Sequence, residues 1–217
     1  MSIKRVVFIR PGETDWNRLK RWQGWVAVPL NTYGRQQAQR LASFIRPIGL
    51  SAIYSSDLRR AMDTANVLAE QLGFVARPDA RLRERSVGHW QGLTKEEVVS
   101  WYPEEYSRLQ SEPMTYQIPG GESRKQVEER VRACFEDIIA RGATSETIGI
   151  ITHTTAIRTL LEDLVPNYNP NSHSYSNLSV TTIEHQADDT WRIGLLDDIS
   201  HLQGMETLSF PELEDKE

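Results

Sequence analysis

The chain has 217 residues, with 25 Lys plus Arg against 30 Asp plus Glu, a net charge of −5, 39% hydrophobic residues and one cysteine. That balance argues against a general nucleic-acid binder while leaving room for a local cationic pocket, and the length suits one sizeable α/β core. Cys134 has no partner for an intrachain disulfide, which fits a reducing, cytoplasmic compartment.

Near the N-terminus, Val6 to Ile9 are only four consecutive apolar residues, too few for a signal peptide or a membrane span. They read instead as a first strand buried on both faces and ended by Pro11-Gly12. Gly34 to Ile45 then places Ala38, Leu41, Ala42 and Ile45 at helical spacing before Pro47. Ala52 to Ser55 is a second strand. Ser56 or Asp57 is expected to cap the next helix, which carries Ala61, Ala65, Leu68 and Leu72 and stops at Gly73. The pattern loosens through Arg83-Glu84-Arg85, Gly88 and Gly92, with a helix near Thr94 to Trp101 and a less regular insertion marked by Pro103 and Pro113. Ser123 can cap a helix carrying Val127, Val131, Cys134, Phe135 and Ile138, with Gly142 as its stop. Thr147 to Thr152 is a strongly apolar strand followed by a helix around Ala156, Leu160, Leu161 and Leu164. The last strands are Leu178 to Glu184 and Trp191 to Leu196.

Strands alternating with helices predict an α/β fold with a mostly parallel central sheet between helical layers. Residues 1–204 form one domain with an insertion around 94–122, and 205–217 form an acidic tail expected to fray. The aromatic residues Trp101, Tyr102, Tyr106 and Tyr116 of the insertion are expected to pack on the core or cap a substrate, ahead of forming a homodimer contact.

Ligands of open α/β sheets collect at the carboxyl ends of parallel strands. Three loops occupy such ends here: Arg10 to Thr14, Ser55 to Arg59, and Thr152-His153-Thr154. Together they offer guanidinium groups, a histidine and hydroxyls, a match for a phosphate dianion. Arg59 and Arg60 at the start of a helix oppose the macrodipole, which favours a bound anion nearby. The five histidines lack the close spacing of a zinc helix, so no metal and no cofactor are expected.

Read together, Phe8-Ile9-Arg10-Pro11-Gly12-Glu13-Thr14-Asp15-Trp16-Asn17 resembles the opening motif of the histidine phosphatase superfamily, the phosphoglycerate mutase-like family, in which Arg-His-Gly-Glu-Thr precedes Trp-Asn. Gln23-Gly24, Tyr54 to Ala61 with Thr64-Ala65, Leu82-Arg83-Glu84, Gly88 to Gly92, Pro119 to Ser123 and Thr152-His153 continue in family order over roughly residues 4 to 200. The resemblance implies a three-layer α/β/α sandwich and hydrolysis of small phosphomonoesters through a phosphohistidine, without metal. It implies Arg10, Arg59 and His153 as phosphate-pocket residues, Asn17, Gln23, Gly24 and Thr154 as substrate contacts, and Glu84 as general acid/base. The partner is then a small phosphorylated metabolite or inorganic phosphate, with neither nucleic acid nor membrane. Thr154 and the stretch Tyr102 to Glu105 are similar to phosphoserine phosphatases of the superfamily, whereas Gly88 to Leu93 resembles phosphatases of glycosylated phosphoglycerate or sugar phosphates.

Pro11 stands where the family has its nucleophilic histidine. It has no ionisable side chain and no N–H, so it can be neither phosphorylated nor a donor to phosphate. The fold should tolerate it, because proline favours the extended conformation that Arg10 already needs. The expectation is a phosphatase scaffold disabled in this chain, ahead of a mutase or a natural pseudoenzyme that binds phosphorylated metabolites.

Overall fold

The apolar runs of the sequence become a six-stranded sheet in the computed structural model, which describes residues 3–141, 147–170 and 172–205. In chain order the elements are β1 (Arg5–Ile9), α1 (Asp15–Arg18), α2 (Thr32–Ile45), β2 (Leu50–Ser55), α3 (Arg59–Leu72), β3 (Arg77–Pro78), α4 (Lys95–Trp101), α5 (Pro103–Ser111), α6 (Arg124–Arg141), β4 (Thr147–Ile151), α7 (Thr154–Leu164), β5 (Val180–His185) and β6 (Trp191–Ile193). The sheet order is β3-β2-β4-β1-β5-β6; the first four strands are parallel, and β5 and β6 add antiparallel pairs at one edge.

Side chains alternate across the pleat of β1, so Val6 and Phe8 enter one core and Val7 and Ile9 the other. The first core is closed by α6 and α7 through Val127, Val131, Phe135, Ala156 and Leu160, and the second by α2 and α3 through Ala38, Leu41, Ala61, Ala65 and Leu68. The result is the three-layer α/β/α sandwich. Each fully buried Leu or Ile contributes about 1.5–3 kcal/mol, and these two layers hold most of such residues.

Several boundaries differ from the sequence expectation. Pro103 does not break the insertion but occupies the first position of α5, where its missing N–H would have no helical partner. α3 is preceded by Leu58 as its N-cap, without a side-chain cap bond. The expected cap residues are used elsewhere: Asp57 pairs with Arg83 at 2.6 Å, and Ser56 Oγ meets His153. Leu178 cannot begin β5, because its φ of 58° is left-handed. The strand expected to reach Leu196 ends at Ile193, and Thr182 Oγ1 takes the N–H of Leu195. Ser123 does cap α6, its Oγ accepting from the N–H of Gln126 while Gln126 Oε1 accepts from the N–H of Ser123. The expected stop at Gly142 and the tail beyond Met205 lie outside the described residues. Among the described residues no helix is long and apolar enough to cross a membrane.

The insertion has a small core of its own, formed by Trp90, Val98, Tyr116 and Ile118 with Tyr102 and Tyr106 packed against it, while Trp101 is exposed. Gly88 allows close approach of the 88–90 turn to the backbone of residues 119–121 at the end of the insertion. Its φ is positive, and a Cβ there would overlap the carbonyl oxygen of Pro119.

Candidate active site

Register places the site. Ile9 of β1 pairs with Ile151 of β4, which pairs with Ser55 of β2. The next residues, Arg10, Thr152-His153 and Ser56, therefore emerge side by side at one sheet edge. β5 runs the other way and pairs Val180 with Ile9, so the segment preceding β5 reaches the same edge. Between these loops lies a cavity of about 180 Å³.

Two guanidinium groups form its cationic floor. Arg10 donates to the carbonyl oxygen of Tyr175, and burial lowers its pKa against the opposing pull of Glu84 and Asp197. Arg60, 5% exposed, donates to the carbonyl oxygens of Gly24 at 3.0 Å and Val26 at 3.4 Å. Burial pushes its pKa down to about 10, opposed by Glu84 and reinforced by Arg10, so it remains charged at neutral pH. Gly24 sustains this contact with a φ of 49°, and a Cβ there would meet Gln91 Oε1 at 2.5 Å. Arg21 adds a third cation, itself tied to Glu97 at 3.2 Å and to the carbonyl oxygen of Gly92.

The expected pocket residue Arg59 is not there. Its side chain is 60% exposed and pairs with Asp63 one helical turn on, at 2.8 Å. With Leu58 as N-cap, the inward face of α3 carries Arg60 and Thr64, and Arg59 points to solvent. Thr64 Oγ1 in turn accepts from the N–H of Gly12 at 3.1 Å.

His153 is buried at the N-cap of α7, with Nε2 at 2.9 Å from Ser56 Oγ. Burial, and then the charges of Arg60, Arg10 and Arg130, hold its pKa well below the usual 6.5, so the ring is neutral at pH 7. Thr154 lines the same wall.

Pro11 is buried in the cavity wall, and its carbonyl oxygen accepts from Asn177 Nδ2 at 3.0 Å. Asn177 also lines the cavity. Asn17 and Gln23 converge on Thr14: Asn17 Oδ1 accepts from the hydroxyl and N–H of Thr14, and Gln23 Nε2 donates to the hydroxyl at 2.8 Å. This leaves Gln23 Oε1 buried without a partner among the described residues.

Glu84 faces the cations from irregular chain. Its Oε1 accepts from the N–H of Arg85 at 2.7 Å, and its Oε2 from the N–H of Thr155 at 3.3 Å. Arg130 of α6 fixes that chain by donating to the carbonyl oxygens of Arg81, Arg83 and Glu84 and pairing with Glu122 at 2.8 Å. Arrayed cations and donors beside one carboxyl group can hold a phosphoryl group and serve its ester oxygen with a proton. Among the described residues no three His, Cys, Asp or Glu side chains cluster as a metal site.

Sequence reasoning thus located Arg10, Pro11, Asn17, Gln23, Gly24, Glu84, His153 and Thr154, all of which line the cavity, and missed Arg21, Arg60 and Asn177. The signal for Asn177 was its place just before β5, whose amino end meets the carboxyl end of β1.

The family model for the histidine phosphatase superfamily (branch 1) matches residues 6–199. The phosphoglycerate mutase-like protein 4 of Arabidopsis thaliana is 36% identical over 91% of this chain and 86% of its own length. The metal-independent phosphoserine phosphatase of the same plant is 35% identical over 94% and 85%. Among solved structures, a mycobacterial glucosyl-3-phosphoglycerate phosphatase in complex with VO3 superposes with a TM-score of 0.80 at 32% identity, covering 89% of this chain and 98% of that one.

Proposed function

The chain belongs to the histidine phosphatase superfamily, branch 1, and from that premise we propose that it is a phosphatase scaffold for small phosphorylated metabolites, disabled here by Pro11. The observation that carries this reading is the convergence of Arg10, Arg60, His153 and Glu84 on the cavity whose wall holds Pro11. The free, buried thiol of Cys134 is in keeping with a cytoplasmic setting.

In this reading Arg10 and Arg60 neutralise the charge on the phosphoryl oxygens, and neutral His153 offers a hydrogen bond. Glu84 protonates the leaving oxygen as the P–O ester bond breaks. With an imidazole at position 11, its nitrogen would take the phosphoryl group, and water would then release phosphate while the Glu84 carboxylate accepts the water proton. The chain as it stands lacks that nucleophile and is left with binding.

The test is turnover by the Pro11→His variant on phosphoserine, 3-phosphoglycerate, glucosyl-3-phosphoglycerate and p-nitrophenyl phosphate, beside the unmodified chain. The variant should gain at least about 100-fold, the scale on which one positioned group acts. Isomerised ester instead of free phosphate would indicate a mutase. No gain on any substrate, with phosphate still bound, would leave a pure phosphate-ester binder.

A further inference from the structure

A second, larger cavity of about 390 Å³ adjoins the phosphate cavity and shares Gln23, Gly24, Glu84 and Thr154 with it. Its remaining wall is mainly apolar: Trp22, Val87, Leu109 and Ile118 come from the insertion's own core and the side chains packed against it. Glu84 stands at the junction. On the proposed function, the group that protonates the leaving oxygen sits between phosphorus and the rest of the substrate, so the alcohol part of the ester falls on the side of the second cavity.

Among the described residues, Arg85 is the one cation lining this annex. Its Nε donates to the carbonyl oxygen of Glu122 at 2.7 Å and an Nη donates to that of Tyr116 at 2.8 Å. The guanidinium is thus directed at the backbone of the insertion, with Glu84 and Glu122 as its nearby opposing charges, and is poorly placed to receive a substrate carboxylate. A volume of this size suits a ring-bearing ligand, and a three-carbon residue would leave much of it unfilled.

We infer that the annex formed by Trp22, Val87, Leu109 and Ile118 selects phosphomonoesters whose alcohol part is aromatic or otherwise bulky and apolar, over the short polar esters phosphoserine and phosphoglycerate. This rests on the phosphate-cavity reading, and the test separates the two. Calorimetry on the unmodified chain compares inorganic phosphate, O-phosphoserine and 1-naphthyl phosphate, with no turnover required.

1-Naphthyl phosphate should bind at least about tenfold tighter than phosphate, and phosphoserine within about threefold of it. The neutral substitution Leu109→Gln should remove most of the naphthyl advantage and leave phosphate affinity unchanged. Val87→Thr, nearly isosteric, should reduce the same advantage should Leu109→Gln fail to fold. Phosphate binding without a naphthyl preference, or a larger gain for phosphoserine, would overturn the annex alone. No binding of any of the three would overturn the phosphate cavity and the annex with it.

Discussion

At the phosphoryl end of the cleft, Arg10, His153 and Arg60 stand at or just beyond the carboxyl ends of neighbouring parallel strands, in register through Ile9, Ile151 and Ser55. At the leaving-group end, Glu84 sits on irregular chain held by Arg130, Trp25 and Glu122, and the annex beyond it is walled by the insertion. The first end takes its geometry from the sheet, whereas the second depends on side chains from elsewhere in the chain: Arg130 of α6 and Trp25 donate to the carbonyl oxygen of Glu84, and Glu122 accepts from the N–H of Ser86. One end can therefore stay constant while the other changes to suit different alcohols.

That division can be broken with substrates of different leaving ability. In the Pro11→His background, Glu84→Gln should cost about 10²–10⁴-fold in kcat on phosphoserine, whose alkoxide must be protonated as it leaves. The loss on p-nitrophenyl phosphate should be much smaller, because its phenolate departs unaided. Equal losses would mean that Glu84 serves the phosphoryl end instead.

Arg60→Ala in the same background should cost about 10²–10³-fold, and by the same factor on every substrate, because the phosphoryl end is common to all. Arg59→Ala should stay within about twofold on any of them, as expected for a solvent-exposed residue paired with Asp63. Steady-state kinetics on the two substrates checks all three variants. A larger loss from Arg59 than from Arg60 would contradict the assignment.

The smallest effect concerns stability. His153 is held neutral in the fold, below its usual 6.5. Above that pH neither folded nor unfolded chain protonates it, so its contribution is fully present. Below pH 6.5 the unfolded chain takes up a proton that the folded chain refuses, and stability falls by about 1 kcal/mol per pH unit until the depressed pKa is reached. Thermal melts from pH 7 to 5 should show this decline, and His153→Gln should flatten it. Bound phosphate should flatten it in part, since an anion between Arg10 and Arg60 offsets the cationic charges that add to burial in keeping the ring neutral. A slope unchanged by both would remove His153 from the anion site.

The same contrast explains what could be read in the sequence. Strand ends are marked by apolar runs meeting polar residues, so Arg10, His153 and the three loops were identifiable. Arg59 and Arg60 were not distinguishable, because adjacent arginines differ only in helix register, and the N-cap proved to be Leu58 in place of the polar Ser56 or Asp57. Asn177 was hidden because the rule of carboxyl strand ends overlooks an antiparallel neighbour arriving by its amino end. Arg130 reaches the site over a long sequence separation, as in its bond to Glu84, and carries no local pattern, whereas Arg21 lies between Asn17 and Gln23 and is marked by no motif residue of its own. The annex is likewise a product of packing, since Trp22, Val87, Leu109 and Ile118 share no spacing.

The central claim is that a complete phosphoryl site surrounds an absent nucleophile. It is tested most directly by rapid mixing of the Pro11→His variant with p-nitrophenyl phosphate, following p-nitrophenolate release and acid-labile phosphate on the protein. The account predicts a burst of p-nitrophenolate matched by a phosphoryl adduct at position 11, both missing from the unmodified chain. Absence of adduct and burst in a folded variant that still binds phosphate would contradict it.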